Sequence, residues 1–289
     1  MANSYKNPDI IIETNKLNKI LNDSNLRIID CNVDLGYADE GGYIIKSGKD
    51  EYLKSHIPNS IFLDLSHDLT DKKSHLSFML PTEKEFSYYI SEAGINNNHD
   101  IILYSKGANY WATRLFLMFK AFGFKNCRVL NGGWDKWIKE SRPVTNIIPI
   151  YPKEKCNAKL NSGEIIGKDD VFKLMNKEKV CLINALSPDL HSGKTFKVNY
   201  GRPGHITGSK NLFAQELINK EDMTFLNARE LENKFRDIGV FDSDQTIAYC
   251  GGGISATTNV FCLLLLGYEN VSLYDGSLTE WGPDHGLPM

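Results

Sequence analysis

The chain has 289 residues, 42% of them hydrophobic and 24% charged, with a formal net charge of −3, which bounds it to one large or two ordinary globular domains. So small a charge, with no dense Lys/Arg block, argues against a nucleic-acid or anionic-membrane partner. The longest apolar run, VFCLLLLGY at 260–268, is nine residues long, less than half a bilayer crossing, and the N-terminus MANSYKNPDI lacks the basic start and apolar core of a secretion signal. The expectation is a cytoplasmic protein.

In chain order, RIIDC (27–31) reads as a strand, TEKEFSYYISEAG (82–94) as a helix, IILYS (101–105) as a strand, ATRLFLMFKAFG (112–123) as a helix and CRVLN (127–131) as a strand. The same series then recurs. VCLIN (180–184), TIAYC (246–250) and VSLYD (271–275) are strand-like, while NARELENKFRDIG (227–239) and ATTNVFCLLLLG (256–267) are helical. Each of these helical patterns stops at a glycine, the usual residue just past a helix end. Apolar strands alternating with helices predict, in each half, a mainly parallel sheet with helices on both faces, an α/β domain.

The recurrence extends to the residues. From Ala112/Ala256 to Trp137/Trp281 the halves align without a gap at an offset of 144, matching Gly123 to Gly267, Asn126 to Asn270 and Gly132 to Gly276. HIPNSIF (56–62) matches HITGSKN (205–211), and LRIID (26–30) matches VCLIN. Ordered matches of this kind mark two copies of one unit. The expected domains are residues 1–145 and 161–289, and 146–160, with prolines and no amphipathic period, is the expected linker.

Six cysteines, at 31, 127, 156, 181, 250 and 262, include no CxxC pair. They are expected as free thiols rather than a disulfide framework or a zinc site. Cys250 is the distinctive one. It ends a predicted buried strand, three glycines follow it, and a helix opens near Ser255. The carboxyl ends of strands are where ligands collect in such sheets. The first N–H groups of a helix lack internal partners and carry the positive end of its dipole. The backbone N–H groups of Gly251, Gly252, Gly253, Ile254 and Ser255 are therefore expected to cradle a thiolate, a persulfide or a bound anion. A buried cysteine ahead of a tight turn accounts for the residue types equally well. The internal repeat bears on the choice: at the matching place the first copy carries Ser105, so packing of this unit does not by itself require a cysteine.

HIPNS and GRPGHITGS, RVLNGGWDKW and SLYDGSLTEW, and the loop CGGGIS together resemble the tandem-domain rhodanese-type sulfurtransferases, the thiosulfate and 3-mercaptopyruvate sulfurtransferases, over nearly the whole chain. The resemblance implies two rhodanese-like domains, the second catalytic through Cys250 and the first non-catalytic. It also implies ping-pong chemistry through a Cys250 persulfide, a small sulfur donor, a thiol or cyanide acceptor, and no metal or organic cofactor. Thiosulfate enzymes usually carry basic residues where Gly251 and Gly252 stand here. The usual Asp-x-Arg and the following Arg are replaced by Asn184, Leu186 and Leu190. The cations left to meet a donor anion are His191, Lys194, Lys197 and Arg202, with Arg202 the best placed. His56 and His205 occupy matched positions and are read as structural, and Trp137 and Trp281 as core. Arg114 either lines the interdomain cleft or is a surface charge. Asp275 either orients the loop or makes a turn, and residues 74–82 are a candidate cleft wall. A cysteine phosphatase would need an arginine six positions after the cysteine to clamp phosphate, where Ala256 stands. A sulfur carrier or partner-binding protein is the alternative function.

Overall fold

The computed structural model describes residues 4–38, 42–161, 163–195 and 198–289. Strands form where apolar residues run continuously, and they pair only in parallel within each of two five-stranded sheets. The first sheet is ordered Ile11–Ile12, Cys127–Leu130, Asp100–Tyr104, Leu26–Asp30, Ser60–Phe62. The second runs Lys210–Asn211, Val180–Asn184, Gln245–Tyr249, Val271–Tyr274, Ile165–Ile166. Successive side chains of a strand point to opposite faces. In the first domain Ile29, Ile101, Leu103 and Val129 accordingly pack with Phe86, Leu115 and Phe119. Their neighbours Ile28, Ile102 and Leu130 pack with Leu17 and Trp137 in a second cluster. Both faces of that sheet are therefore covered.

Helix Glu83–Glu92 opens on a capping box between Thr82 and Glu85, and helix Ala228–Asp237 on one between Asn227 and Glu230. Such reciprocal bonds satisfy backbone N–H groups that the helix leaves free. Helix Tyr110–Ala121, hereafter α1, and helix Ala256–Leu265, hereafter α2, are apolar around most of their circumference and pack against each other. Thr113 and Thr257, separated by the repeat offset of 144, meet at 2.7 Å through their hydroxyls. Phe116 meets Phe261 edge to face at 5.0 Å nearby. A residue touching its own counterpart marks a pseudo-two-fold axis between the domains. The segment from 142 to 161 lies on the first domain: Glu154 N–H donates to Ser91 O, Asn161 N–H to Ala121 O, and Arg27 stacks over the Tyr151 ring.

The repeat predicts one stability effect. Asp30 and Asn184 end matched strands, and each accepts through Oδ1 the N–H two residues on, at 3.0 Å from Asn32 and 2.8 Å from Leu186. Burial pushes the Asp30 carboxyl up to about 6. A carboxyl raised in the folded state favours folding below its unfolded value of 3.8 and loses that contribution as pH rises through about 6. Above that, an ionised carboxylate is held in a buried site. Asp30→Asn, the residue the second copy already uses, is expected to stabilise the protein at pH 8 by roughly 1–3 kcal/mol and to give no gain at pH 4. Thermal unfolding at the two pH values checks it.

Candidate active site

Strand Gln245–Tyr249 lies between Val180–Asn184 and Val271–Tyr274, so Cys250 sits at the carboxyl edge of the sheet, only 2% exposed. The turn after Tyr274 grips the loop that follows. Ser277 Oγ accepts the N–H groups of Cys250 and Gly253, each at 3.1 Å, and donates to Tyr274 O at 2.9 Å. Leu278 N–H donates to Cys250 O, and Thr279 donates to Gly251 O through both N–H and Oγ1. Gly253 has φ +72°, and a Cβ there would lie 2.5 Å from Asp275 O, so only glycine fits.

These bonds correct one expectation: the Gly253 N–H is committed to Ser277. Among the described residues the N–H groups of Gly251, Gly252, Ile254 and Ser255 meet no acceptor. Gly251 and Ile254 are buried. Buried N–H groups are almost always paired, so open donors in the loop between Cys250 and α2 are unusual. The first domain shows the contrast. There Asn109, in a left-handed conformation at φ 59°, turns its Oδ1 onto Ser105 N–H at 3.0 Å and Ser105 Oγ at 3.3 Å. The loop after the serine is filled by the protein's own amide.

Ser277 is itself at φ 50°, a left-handed conformation that disfavours side chains other than glycine. Its counterpart Gly133 has φ 51°. Ser277→Gly therefore relaxes the backbone while deleting the acceptor that shapes the loop. The expected result is a fall of about ten- to a hundredfold in the rate of any reaction carried by Cys250, with little loss of melting temperature. Steady-state kinetics and thermal unfolding on one preparation check it.

The first domain supplies the opposite wall through one face of α1, the i, i+3, i+4 set Tyr110, Thr113 and Arg114. Arg114, 1% exposed, pairs with Asp275 Oδ1 at 2.5 Å and donates to Phe78 O and to Gly253 O. Asp275 Oδ2 accepts Leu80 N–H at 2.9 Å. Arg114 is thus a buried clamp between domains, the Asp275 carboxylate bonds Arg114 and Leu80, and the 74–82 segment reaches the second domain through its main chain. Thr257 Oγ1 donates to Ile254 O at 2.6 Å and lies 3.4 Å from Tyr110 O, which sets Tyr110 against the cysteine loop. The Tyr110 hydroxyl is buried, with Gln215 as its polar neighbour among the described residues. On the other side Tyr200 fills the space over Gly251, its hydroxyl 2.2 Å from where a Cβ would stand, and bonds Tyr43 of the first domain at 2.8 Å.

The expected anion-binding residues fare differently. Arg202 is used within the second domain: four of its N–H donations go to the carbonyls of Gly282, Leu287, Trp281 and Asp284. It fastens the C-terminal turn rather than facing the loop. His191 stacks on His205 at 3.8 Å between centroids. Burial first, and the neighbouring His205 second, push its pKa down to about 4, so it is neutral at pH 7 and supplies no cation. Lys194 is exposed, and Lys197 lies outside the described residues. Leu186 is buried, and Asn184 Nδ2 donates to Tyr249 Oη at 3.2 Å. His56 and His205 behave as matched structural residues, each placing Nδ1 on the backbone carbonyl of the residue whose ring it stacks on, Tyr52 and His191. Trp137 and Trp281 are fully buried.

Two cavities, of about 420 and 450 Å3, lie elsewhere and involve no residue of the cysteine loop. Among the described residues no group of three or more His, Cys, Asp or Glu is arranged to hold a metal ion, and no helix is long and apolar enough to cross a membrane. Sequence reasoning passed over Ser277, Tyr110 and Tyr200. Only Ser277 carried a signal, a serine where the first copy has glycine.

The chain matches the family described as Rhodanese-like domain twice, over residues 13–140 and 169–284. It is 31% identical over 296 residues to the Thermus thermophilus protein named sulfur carrier protein TtuD, covering 99% of this chain and 98% of that one. It is 30% identical over 240 residues to the Escherichia coli 3-mercaptopyruvate sulfurtransferase, 83% of this chain and 84% of that relative. The crystal structure of the 3-mercaptopyruvate enzyme SseA from Escherichia coli superposes with a TM-score of 0.82 at 26% identity, over 93% of this chain and 98% of that one.

Proposed function

The chain belongs to the rhodanese-like family, with relatives that are sulfurtransferases, and from that membership and the loop after Cys250 we propose that it moves a sulfane sulfur from thiosulfate or 3-mercaptopyruvate to a thiol or cyanide through a Cys250 persulfide. The observation that carries this reading is the set of four unpaired N–H groups at the start of α2, next to a cysteine at the sheet's carboxyl edge. Cys250 Sγ attacks the outer sulfur of the donor. An S–S bond forms, the donor's own bond to that sulfur breaks, and the leaving group keeps the electron pair as sulfite or as the enolate of pyruvate. The terminal sulfur then holds the negative charge, where the open N–H groups and the helix dipole stabilise it. The acceptor attacks that sulfur, and the Cys250 thiolate departs unchanged.

The other thiols do not compete. Burial raises Cys31, Cys127 and Cys262 well above the ordinary thiol value, pushes Cys156 up to about 11, and raises Cys181. A protonated thiol is a poor nucleophile.

A second reading is a sulfur carrier loaded by another protein. It draws support from the 31% identity to a relative bearing that name and from the apolar Leu186 and Leu190 at positions where the resemblance leads one to expect an anion-binding arginine. Comparison of kcat/KM for thiosulfate and 3-mercaptopyruvate, with cyanide and a dithiol as acceptors, tests the proposal. Turnover with either free donor supports the enzyme. Loading only from a protein persulfide, with no turnover of either small donor, supports the carrier.

A further inference from the structure

We propose that Tyr110, in the domain that lacks the cysteine, contacts the substrate: its hydroxyl donates a hydrogen bond to the anionic group that leaves the sulfur donor when Cys250 is loaded. The inference rests on the sulfurtransferase reading of Cys250.

Three observations converge on it. Tyr110 is the first residue of α1, on the face that carries Thr113 and Arg114, and both of those residues touch the catalytic half. Its carbonyl lies against Thr257, whose hydroxyl is bonded to Ile254 within the cysteine loop. Its own hydroxyl is buried, and among the described residues Gln215 is the one polar side chain set beside it. A buried hydroxyl left unmatched costs stability, and native proteins rarely keep one without a use. Burial, followed by charge on Cys250, raises the phenol above its ordinary value. The group is therefore protonated and able to donate.

The direction of the donation follows from the layout. In this proposal the open N–H groups of the loop hold the sulfur that stays on Cys250, and the departing group lies toward α1, which reaches the loop through Thr257 and Ile254. No proton moves to it from Tyr110; the O–H stays covalent and supplies a dipole to the oxygen on which charge develops. The leaving group keeps the electron pair of its broken bond to sulfur. The domain without a cysteine thus completes the site rather than only supporting it.

Tyr110→Phe removes one oxygen whose polar neighbour among the described residues is Gln215, so its effect on folding is small and separable from function. Rapid-quench loading with thiosulfate and 3-mercaptopyruvate is expected to slow by about tenfold or more. Discharge of the loaded enzyme to cyanide should stay within about twofold, and the melting temperature should hold or rise, since an unmatched buried hydroxyl is lost. An unchanged loading rate overturns the proposal. So does a fall in melting temperature with both half-reactions slowed alike, which marks a structural role.

Binding of sulfite to the Cys250→Ser protein, with and without Tyr110→Phe, gives a readout that needs no turnover. Weaker sulfite binding in the double variant supports the contact, and equal binding or none in either protein contradicts it. If the unaltered protein fails to load from any donor, the sulfurtransferase reading fails, and the sulfite comparison still decides the role of Tyr110.

Discussion

Replacing Cys250 by serine is expected to abolish sulfur transfer to any acceptor while leaving the fold intact. The substitution exchanges one small buried side chain for another, and the first domain already places Ser105 at the matched position. Loss of activity should therefore be a loss of chemistry, at least about a thousandfold in kcat, because a hydroxyl flanked only by N–H groups has no base to activate it. The remaining cysteines cannot substitute, since burial holds Cys31, Cys127 and Cys262 protonated and raises Cys156 and Cys181. Activity retained in the serine protein at even a tenth of the original would place the reacting thiol elsewhere.

The second large effect concerns the clamp. Arg114 and Asp275 are both buried and paired at 2.5 Å across the domain boundary. Arg114→Ala strands a buried carboxylate that keeps only the Leu80 N–H, and breaking a buried pair in this way costs about 3–5 kcal/mol. It also frees the carbonyls of Phe78 and Gly253, so the cysteine loop and the 74–82 wall both lose a support. Thermal unfolding should show a large drop, and sulfur transfer should fall with it. Arg114→Lys is expected to recover little, because an ammonium cannot reach the carboxylate and two carbonyls in the planar geometry of a guanidinium. The pair change Arg114→Met with Asp275→Leu separates stability from function. It removes both charges and should regain much of the melting temperature without regaining activity, because the loop remains unheld.

Both predictions depend on contacts between residues far apart in the chain, which is where the sequence was least readable. Periodicity and helix-end glycines locate the central strands and both cleft helices, and the repeat exposes the pairing of Cys250 with Ser105. The antiparallel hairpin Val33–Tyr37 and Tyr43–Ser47 went unread, because its second strand is mostly exposed and lacks a clean apolar face. Arg114 could not be assigned between surface and cleft, since its partner lies 161 residues away. Arg202 looked free to meet an anion, and only the folded C-terminal turn shows its guanidinium engaged by carbonyls. Tyr110 reads as one more aromatic at a helix start; an unmatched hydroxyl becomes visible only when its surroundings are known. The cradle was legible as a motif, but the Ser277 bond that withdraws Gly253 from it was not.

The central claim is that the thiol at the head of α2 carries the moving sulfur. It is tested most directly by incubating the protein with each donor, weighing it intact under non-reducing conditions, and mapping the modified peptide. The prediction is a gain of one sulfur atom confined to the peptide containing Cys250, lost on adding cyanide and absent from the Cys250→Ser protein. A gain on another cysteine, or none from thiosulfate, 3-mercaptopyruvate or a protein persulfide, would contradict it.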